Sequence, residues 1–406
     1  NAACLTDRTL APVTITDASL VDITAGTRPR LYYKKAGNAN TFVDNTSGTD
    51  GWKFVEATGL GSSPFSFTTN YSLLFGGAPV VGDVIQYFVV AQDQNGIPNI
   101  GINSGTFAVA PTSVALTSGA FPLTGVINSY TLINGLAGTV NVGPLETITT
   151  LTAAGGLFSQ INTNGMSGNL LVNITGNIIT EDGANALNAI NYNGCAAGPY
   201  TLTIKPTGSF VISGTNSGAL IRLNGADFVT IDGSIGSTIN SVCPPSAATR
   251  DMGILNNNTG TSSAVVWLQN AGVDGATNNV IKNCNIAGNA PGTTLFGIGS
   301  GSSTISTTSL GNGNNNNAFE NNAIGNLQYG IYSQGASAGA KNTGNIINQN
   351  AMVTPAPNNV SKGGILVGFE NNITITGNSI SEIAQASSPD VFGISMGFIA
   401  TQSTTT

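Results

Sequence analysis

Short apolar strands framed by asparagine return through the second half of the chain, in the stretches NNVIKNCNIAG, NNAFENNAIGN, GNIINQNAM and NNITITGNSI. Ile281, Phe319, Ile347 and Ile375 fall in one column, and Ile286, Ile324, Met352 and Ile380 in a second. The second column advances by 38, 28 and 28 residues. Between these strands a second motif recurs as FGIGSG, YGIYSQ, GGILVG and FGISMG, with Ile298, Ile331, Ile365 and Ile394 aligned at steps of 33, 34 and 29 residues. A period of this length suits a coil of three short strands and three corners, stacked so that apolar columns form one continuous core. The predicted element is a right-handed parallel β-helix. Asparagine suits its corners, because it tolerates left-handed backbone and its amide can bond to the equivalent residue of the next turn. The leucine–asparagine framework of a leucine-rich repeat is missing.

Period-two alternation also marks NLLVNITGNII, YTLTIKP, SFVISG and ALIRLNGADFVTIDG as strands. Before them, Leu151, Ala154, Phe158 and Ile161 recur at helical spacing with Leu157 on the flank, which predicts a short amphipathic cap over 151–164. Residues 10–110 follow a different pattern. VTITDASLVDI, PRLYYKK, WKFVEA, FSFTTNYSLL, DVIQYFVVAQD and SGTFAVA are short strands separated by Gly, Pro, Asn and Asp turns. Both faces of DVIQYFVVAQD are mostly apolar, which places it centrally in a packed sheet. The expected fold is therefore all-β: an immunoglobulin- or fibronectin-like β-sandwich followed by the β-helix. The expected division is an N-terminal arm (1–9), the sandwich (10–110), a β-rich connector (111–150), the cap (151–164), the β-helix (165–400) and a polar tail (401–406).

Composition narrows the chemistry. The 406 residues include 53 Gly, no His and only 8% charged residues, so histidine-based acid/base work and histidine metal ligation are absent. A net charge of −7 argues against nucleic acid as a partner. No apolar run is long enough to predict a membrane span. The first residues, NAACLTDRTLAP, do not read as a signal peptide, so the expectation is a processed chain or a fragment. Cys4, Cys195, Cys243 and Cys284 lack zinc-like spacing; Cys195 and Cys243 lie in turn-rich segments and are a candidate disulfide, whereas Cys284 reads as a packed thiol.

Candidate site residues are few. Tyr32, Tyr33 and Trp52 are either a sugar-stacking platform or the sandwich core. The turn Asp93–Gly96 is a candidate structural calcium site, with an ordinary turn as the alternative. On the β-helix, Lys282, Glu320, Asn348 and Thr376 each follow a residue of the inward column and should face outward. Lys282 and Glu320 there form either the start of a glycan site or a solvent-facing ion pair. Arg222, Asp227 and Asp232 make a second charged group. Neither supplies the paired carboxylates or the base with charge stabilisation that glycan cleavage needs, so no catalytic residue, cofactor or metal is assigned.

The stretches TRPRLYYKKAGNANTFVDNTSGTDGWKFVEATG, SPFSFTTNYSLL, GDVIQYFVVAQDQNGIPNIGINSG and FPLTGVINSYTLI resemble an immunoglobulin-like region of very large secreted Bacteroidetes proteins. There the module is placed before a pectate-lyase-like parallel β-helix. The resemblance implies an extracellular or cell-surface location and export by type IX secretion. The expected function is a non-enzymatic structural or adhesive surface protein, including a repeating subunit of a filament or sheath. Its expected partners are copies of itself, further domains of a larger protein, or an extracellular glycan contacted through the polar sheet and the insertion between Gly297 and Phe319. The alternative is a polysaccharide-binding or polysaccharide-cleaving protein. VFGISMGFIATQSTTT repeats the FGIGSG-type strand with no covering helix after it, which fits a cleaved longer β-helix or a neighbouring subunit as the cover.

Overall fold

The strands Arg30–Lys35 and Val84–Gln92 carry large apolar side chains on both faces, so each face needs its own cover. In the computed structural model they pair antiparallel, with Tyr32 opposite Phe88 and Tyr33 opposite Tyr87. They belong to a five-stranded antiparallel sheet with Lys53–Glu56, Ile100–Ile102 and Asn128–Thr131. On one face Leu31, Tyr33, Ile85 and Val89 pack against Phe65 and Phe67, which come from a two-stranded sheet of Thr9–Val13 and Phe65–Thr68. On the other face Tyr32, Trp52, Phe88 and Val90 pack against Val114, Leu116, Phe121 and Leu123. This is an antiparallel, immunoglobulin-like sandwich. The structure describes residues 5–58, 61, 63–192, 198–236, 250–385 and 391–397. Cys195 and Cys243 lie outside them, as does Cys4.

The chain divides after Gly135, inside the stretch expected as a connector. Val114–Leu123 is sandwich core, whereas Leu136–Val142 is the first strand of the second unit. That unit is a parallel β-helix. Three parallel sheets run along it, of eight, seven and seven strands. The first holds Val229–Asp232, Val280–Lys282, Ala318–Glu320, Ile346–Asn348 and Thr374–Thr376 in successive turns. The second includes Met252–Asn256, Cys284–Ala287, Ala323–Gly325 and Ala351–Met352. The third includes Ala219–Asn224, Ala264–Gln269, Phe296–Gly301, Leu327–Gln334 and Val360–Gly368.

The helix runs Leu157–Asn164, starting later than the apolar spacing predicts, because Gly155 takes a positive φ of 74° and interrupts the chain after Ala154. Leu157, Phe158 and Ile161 are buried. Asn162 ties the helix to the first turn of the third sheet, donating to the Ala186 carbonyl and accepting from the Asn188 amide.

The aligned columns seen in the sequence are the core except in the last turn, where Ile375 and Ile380 are only half-buried and Ile394 is 50% exposed. Ile231, Ile281, Phe319 and Ile347 stack in register and are at most 1% exposed. Val266, Ile298, Ile331 and Ile365 do the same in the third sheet. Each such side chain contributes on the order of 2 kcal/mol by leaving water. Asparagine does two jobs between them. Asn283, Asn321, Gln349 and Gly377 occupy one corner with φ of 57°, 50°, 54° and 61°, where amide residues and glycine meet the least steric cost. Other asparagines point inward. The Asn322 amide donates to Asn350 Oδ1, and the Asn350 amide to Asn378 Oδ1. Asn350 and Asn378 return the bond through Nδ2 to the carbonyls of Phe319 and Ile347. Every ladder amide thus staples its turn to the one before. Asn279, Asn317 and Asn345 form a parallel ladder.

Candidate functional site

The outer face of the first sheet carries Asp232, Lys282, Glu320, Asn348 and Thr376 in register. Lys282 and Glu320 do lie in adjacent turns, but the ion pair among the described residues is different. Lys282 Nζ contacts Asp232 Oδ2 at 3.3 Å, on the other neighbouring turn. Asp232 is 1% exposed, and its Oδ1 accepts from Asn283 Nδ2 at 2.7 Å and from the Ser234 amide at 3.1 Å. The lysine neutralises a buried corner carboxylate. Both Asp232 oxygens are thus engaged, Oδ2 by Lys282 and Oδ1 by Asn283 and the Ser234 amide.

Arg222, Asp227 and Asp232 do not converge. Arg222 is on the third sheet in register with Trp267. Asp227 accepts from the amide and the hydroxyl of Thr277 at 2.6 and 2.7 Å. Burial raises its pKa against those hydrogen bonds. Asp232 serves Lys282. Asp227 and Asp232 are thus tied to different partners, and Arg222 lies on another sheet.

Tyr32, Tyr33 and Trp52 are each 0% exposed. Tyr32 stacks on Phe88 with centroids 5.1 Å apart, and its hydroxyl donates to the Val114 carbonyl. Tyr33 donates to the Asn70 carbonyl and accepts from the Asn70 amide. Trp52 sets its edge against Phe88 and donates from Nε1 to Asn40 Oδ1. No ring face is left for a sugar. Asp93 accepts from Asn95 Nδ2 at 2.6 Å, Asn99 Nδ2 at 2.7 Å and the Asn99 amide at 2.9 Å. The Asn99 hydrogen bond is the main cause holding its carboxyl below the usual range. Its oxygens already face donors rather than a cation. Among the described residues, no three of His, Cys, Asp and Glu group as metal ligands.

One feature of the outer surface had no counterpart in the sequence reading. Trp267 lies flat along the outside of the third sheet, where a Cβ on Gly299 would stand 2.1 Å from its ring. Phe296 and Tyr332 stack on it at 5.7 and 5.9 Å, and Tyr329 and Phe392 extend the row. The insertion after Gly301 is fastened over these rings. Trp267 Nε1 donates to the Ser302 carbonyl and Tyr332 to the Ser309 carbonyl, at 2.8 and 2.6 Å, while Ser302 and Ser309 bond to each other. The insertion expected as a contact loop is therefore also the cover of a second, external apolar layer. Apolar outward residues in alternate positions look the same in sequence whether a loop covers them or not.

Scans against protein-family models, curated proteins and solved structures returned no match. The fold alone defines the class: an immunoglobulin-like β-sandwich followed by a parallel β-solenoid. Among the described residues no helix is long and apolar enough to cross a membrane.

Proposed function

We propose that the chain is a non-enzymatic structural or adhesive protein of the cell surface, akin to the large secreted Bacteroidetes proteins it resembles and exported by the same type IX route. The architecture accommodates a polysaccharide-cleaving protein as well, so the weight falls on how the polar side chains are used. The observation that carries the reading is the fate of the buried polar groups in the β-helix. Asn322, Asn350 and Asn378, and with them Asp232 and Lys282, are committed to joining one turn to the next. A solenoid braced in this way is a stiff element suited to spacing, presenting or assembling.

The test is incubation with a panel of acidic and neutral polysaccharides. The reading expects neither new reducing ends nor unsaturated products. Turnover abolished by changing Lys282 or Glu320 would overturn it and make that face the active site. Light scattering and electron microscopy of the purified chain then separate the filament form, which expects ordered assembly, from the adhesive form, which expects retention on an extracellular matrix surface.

A further inference from the structure

The connections between the second and third sheets differ in length from turn to turn. They run 288–295 before the strand Phe296–Gly301, shrink to Asn326 alone before Leu327–Gln334, and lengthen again to 353–359 before Val360–Gly368. A short connection between two long ones leaves a notch. Pro291 and Gly292 line it on one side and Ala356 and Asn359 on the other, together with Ser361, Lys362, Ala384 and Gln385, and this open notch has a volume of about 630 Å³. Ser361 Oγ, on the strand Val360–Gly368, reaches the Pro291 carbonyl, bonding that strand to the first long connection past the short one.

Lys362 is held in place there by neutral groups. Its Nζ donates to Gln328 Oε1 at 2.6 Å. Gln328 is 3% exposed, and its Nε2 donates to the carbonyls of Thr261 and Thr293, which fixes Oε1 toward the lysine. The Tyr329 ring lies 5.9 Å from the ammonium. Among the described residues no carboxylate pairs with Lys362; the ion pairs of the β-helix unit there reduce to Lys282 with Asp232. An ammonium has three donors, and Gln328 takes one. A positioned cation with no counter-ion among the described residues, in a cleft walled by Pro291 and Ala356, suits an anionic group attached to a weakly apolar body.

We propose that this notch binds an anionic saccharide, with its carboxylate or sulfate on Lys362 and its ring against the Pro291 and Ala356 walls. This rests on the adhesive form of the function above and names the chemistry of its ligand. Two side-chain changes separate the site from the fold. Lys362→Met removes the cation. Gly292→Glu adds a carboxylate to the wall at a position where a new Cβ meets nothing within 4 Å, so folding should be spared.

Calorimetric titration would use a uronate oligosaccharide, a sulfated oligosaccharide, a neutral oligosaccharide of the same length and inorganic sulfate. At least one acidic oligosaccharide should bind, more weakly as salt rises, with roughly tenfold or greater loss in both variants. Lys341→Met, outside the notch, should leave binding unchanged. The uronate and sulfated arms identify which anion is recognised. The proposal is overturned by equal binding of the neutral sugar, by acidic binding that survives both changes, or by no binding of any acidic oligosaccharide. Retention on a matrix surface that persists in Lys362→Met would remove this site while leaving the adhesive reading standing; loss of retention in the unaltered chain would remove that reading itself.

Discussion

Glu370 offers a quantitative test of how the β-helix interior is built. It stands opposite Asn342 in a parallel pair, where the column that passes from Asn314 to Asn342 meets an acid instead of a third amide. It is 0% exposed. Oε1 accepts from Ser333 Oγ at 2.6 Å and weakly from Asn342 Nδ2 at 3.5 Å, and Oε2 accepts from Asn345 Nδ2 at 2.9 Å. All three donors are neutral. Burial therefore dominates, and the carboxyl is pushed up from 4.5 to about 7 despite those hydrogen bonds. The folded state holds this proton more tightly than the unfolded chain does. Its contribution is thus most favourable below about pH 4.5, declines as pH rises between about 4.5 and 7, and stays flat above. The shift of about 2.5 units corresponds to about 3 kcal/mol lost across that window.

Glu370→Gln should remove this decline. The new amide has an oxygen for Asn345, and its NH2 can donate to Ser333 once that hydroxyl rotates. Relative to the unaltered protein the variant should therefore gain stability as pH rises, by up to about 3 kcal/mol at pH 8. Near pH 5 the two should be close. Solenoids unfold by turns rather than all at once, so the informative measurement is hydrogen exchange of the turns around Asn342 and Glu370, read with denaturant unfolding from pH 5 to 8. Glu181 and Asp227 are also raised by burial and titrate in both proteins, so the difference between the two isolates Glu370. A difference that does not change with pH would refute the reasoning, and would mean that the carboxylate is solvated or paired with a cation.

The inward register predicts that Ile347→Asp, at a fully buried position, destabilises by about 4 kcal/mol or more by placing an unpaired charge in the core. Asn348→Asp on the outer face should cost less than about 1 kcal/mol, and equal costs in a denaturation comparison would reverse the assigned faces. Asn350→Ala should cost about 2–4 kcal/mol, because it strands the Asn322 amide and the Phe319 carbonyl inside the coil; a loss under about 0.5 kcal/mol by the same assay would show that the ladder is not a stabilising element.

Much of the β-helix was legible because its turns repeat. Phe319 and Ile347 could be placed in one column from spacing alone, and the structure pairs them directly. What was not legible lay where the repeat is interrupted. Asp232 is 50 residues before Lys282, with an insertion between the first and second sheets after it, so spacing paired Lys282 with Glu320 and missed the contact that forms. Lys362 was equally hidden, because a notch made by unequal connections has no motif. In the sandwich, the apolar pattern on both faces of Val84–Gln92 already required two covered faces. Tyr32 and Tyr33 point to opposite faces of the neighbouring strand and fill the two cores, the reading that the sequence had left open beside a sugar-stacking platform. The helix began late because two consecutive glycines, Gly155 and Gly156, follow Ala154, and an apolar period does not register them.

The recurring asparagine has a physical cause. Inside a parallel coil, the residue just before each strand has a backbone N–H facing the next turn and a carbonyl facing it from the turn before. A side chain that serves both must accept and donate within one short group. Asn350 does this, accepting from Asn322 and donating to the Phe319 carbonyl. Serine or aspartate would meet only part of that demand. The exceptions follow the same logic. Cys284 occupies the position that becomes Asn322 one turn later. Its amide donates forward to Asn322 Oδ1, while its Sγ turns back across the corner to the Lys282 carbonyl at the end of the preceding strand. Burial raises the Cys284 thiol pKa, so it adds no reactive group. Glu370, at the other exception, accepts from every neighbour and donates only when protonated. The groups that would attract a search for chemistry in this chain are thus largely those that hold its turns together, and the proposed recognition is placed in the connections, where the repeat constrains the residues least.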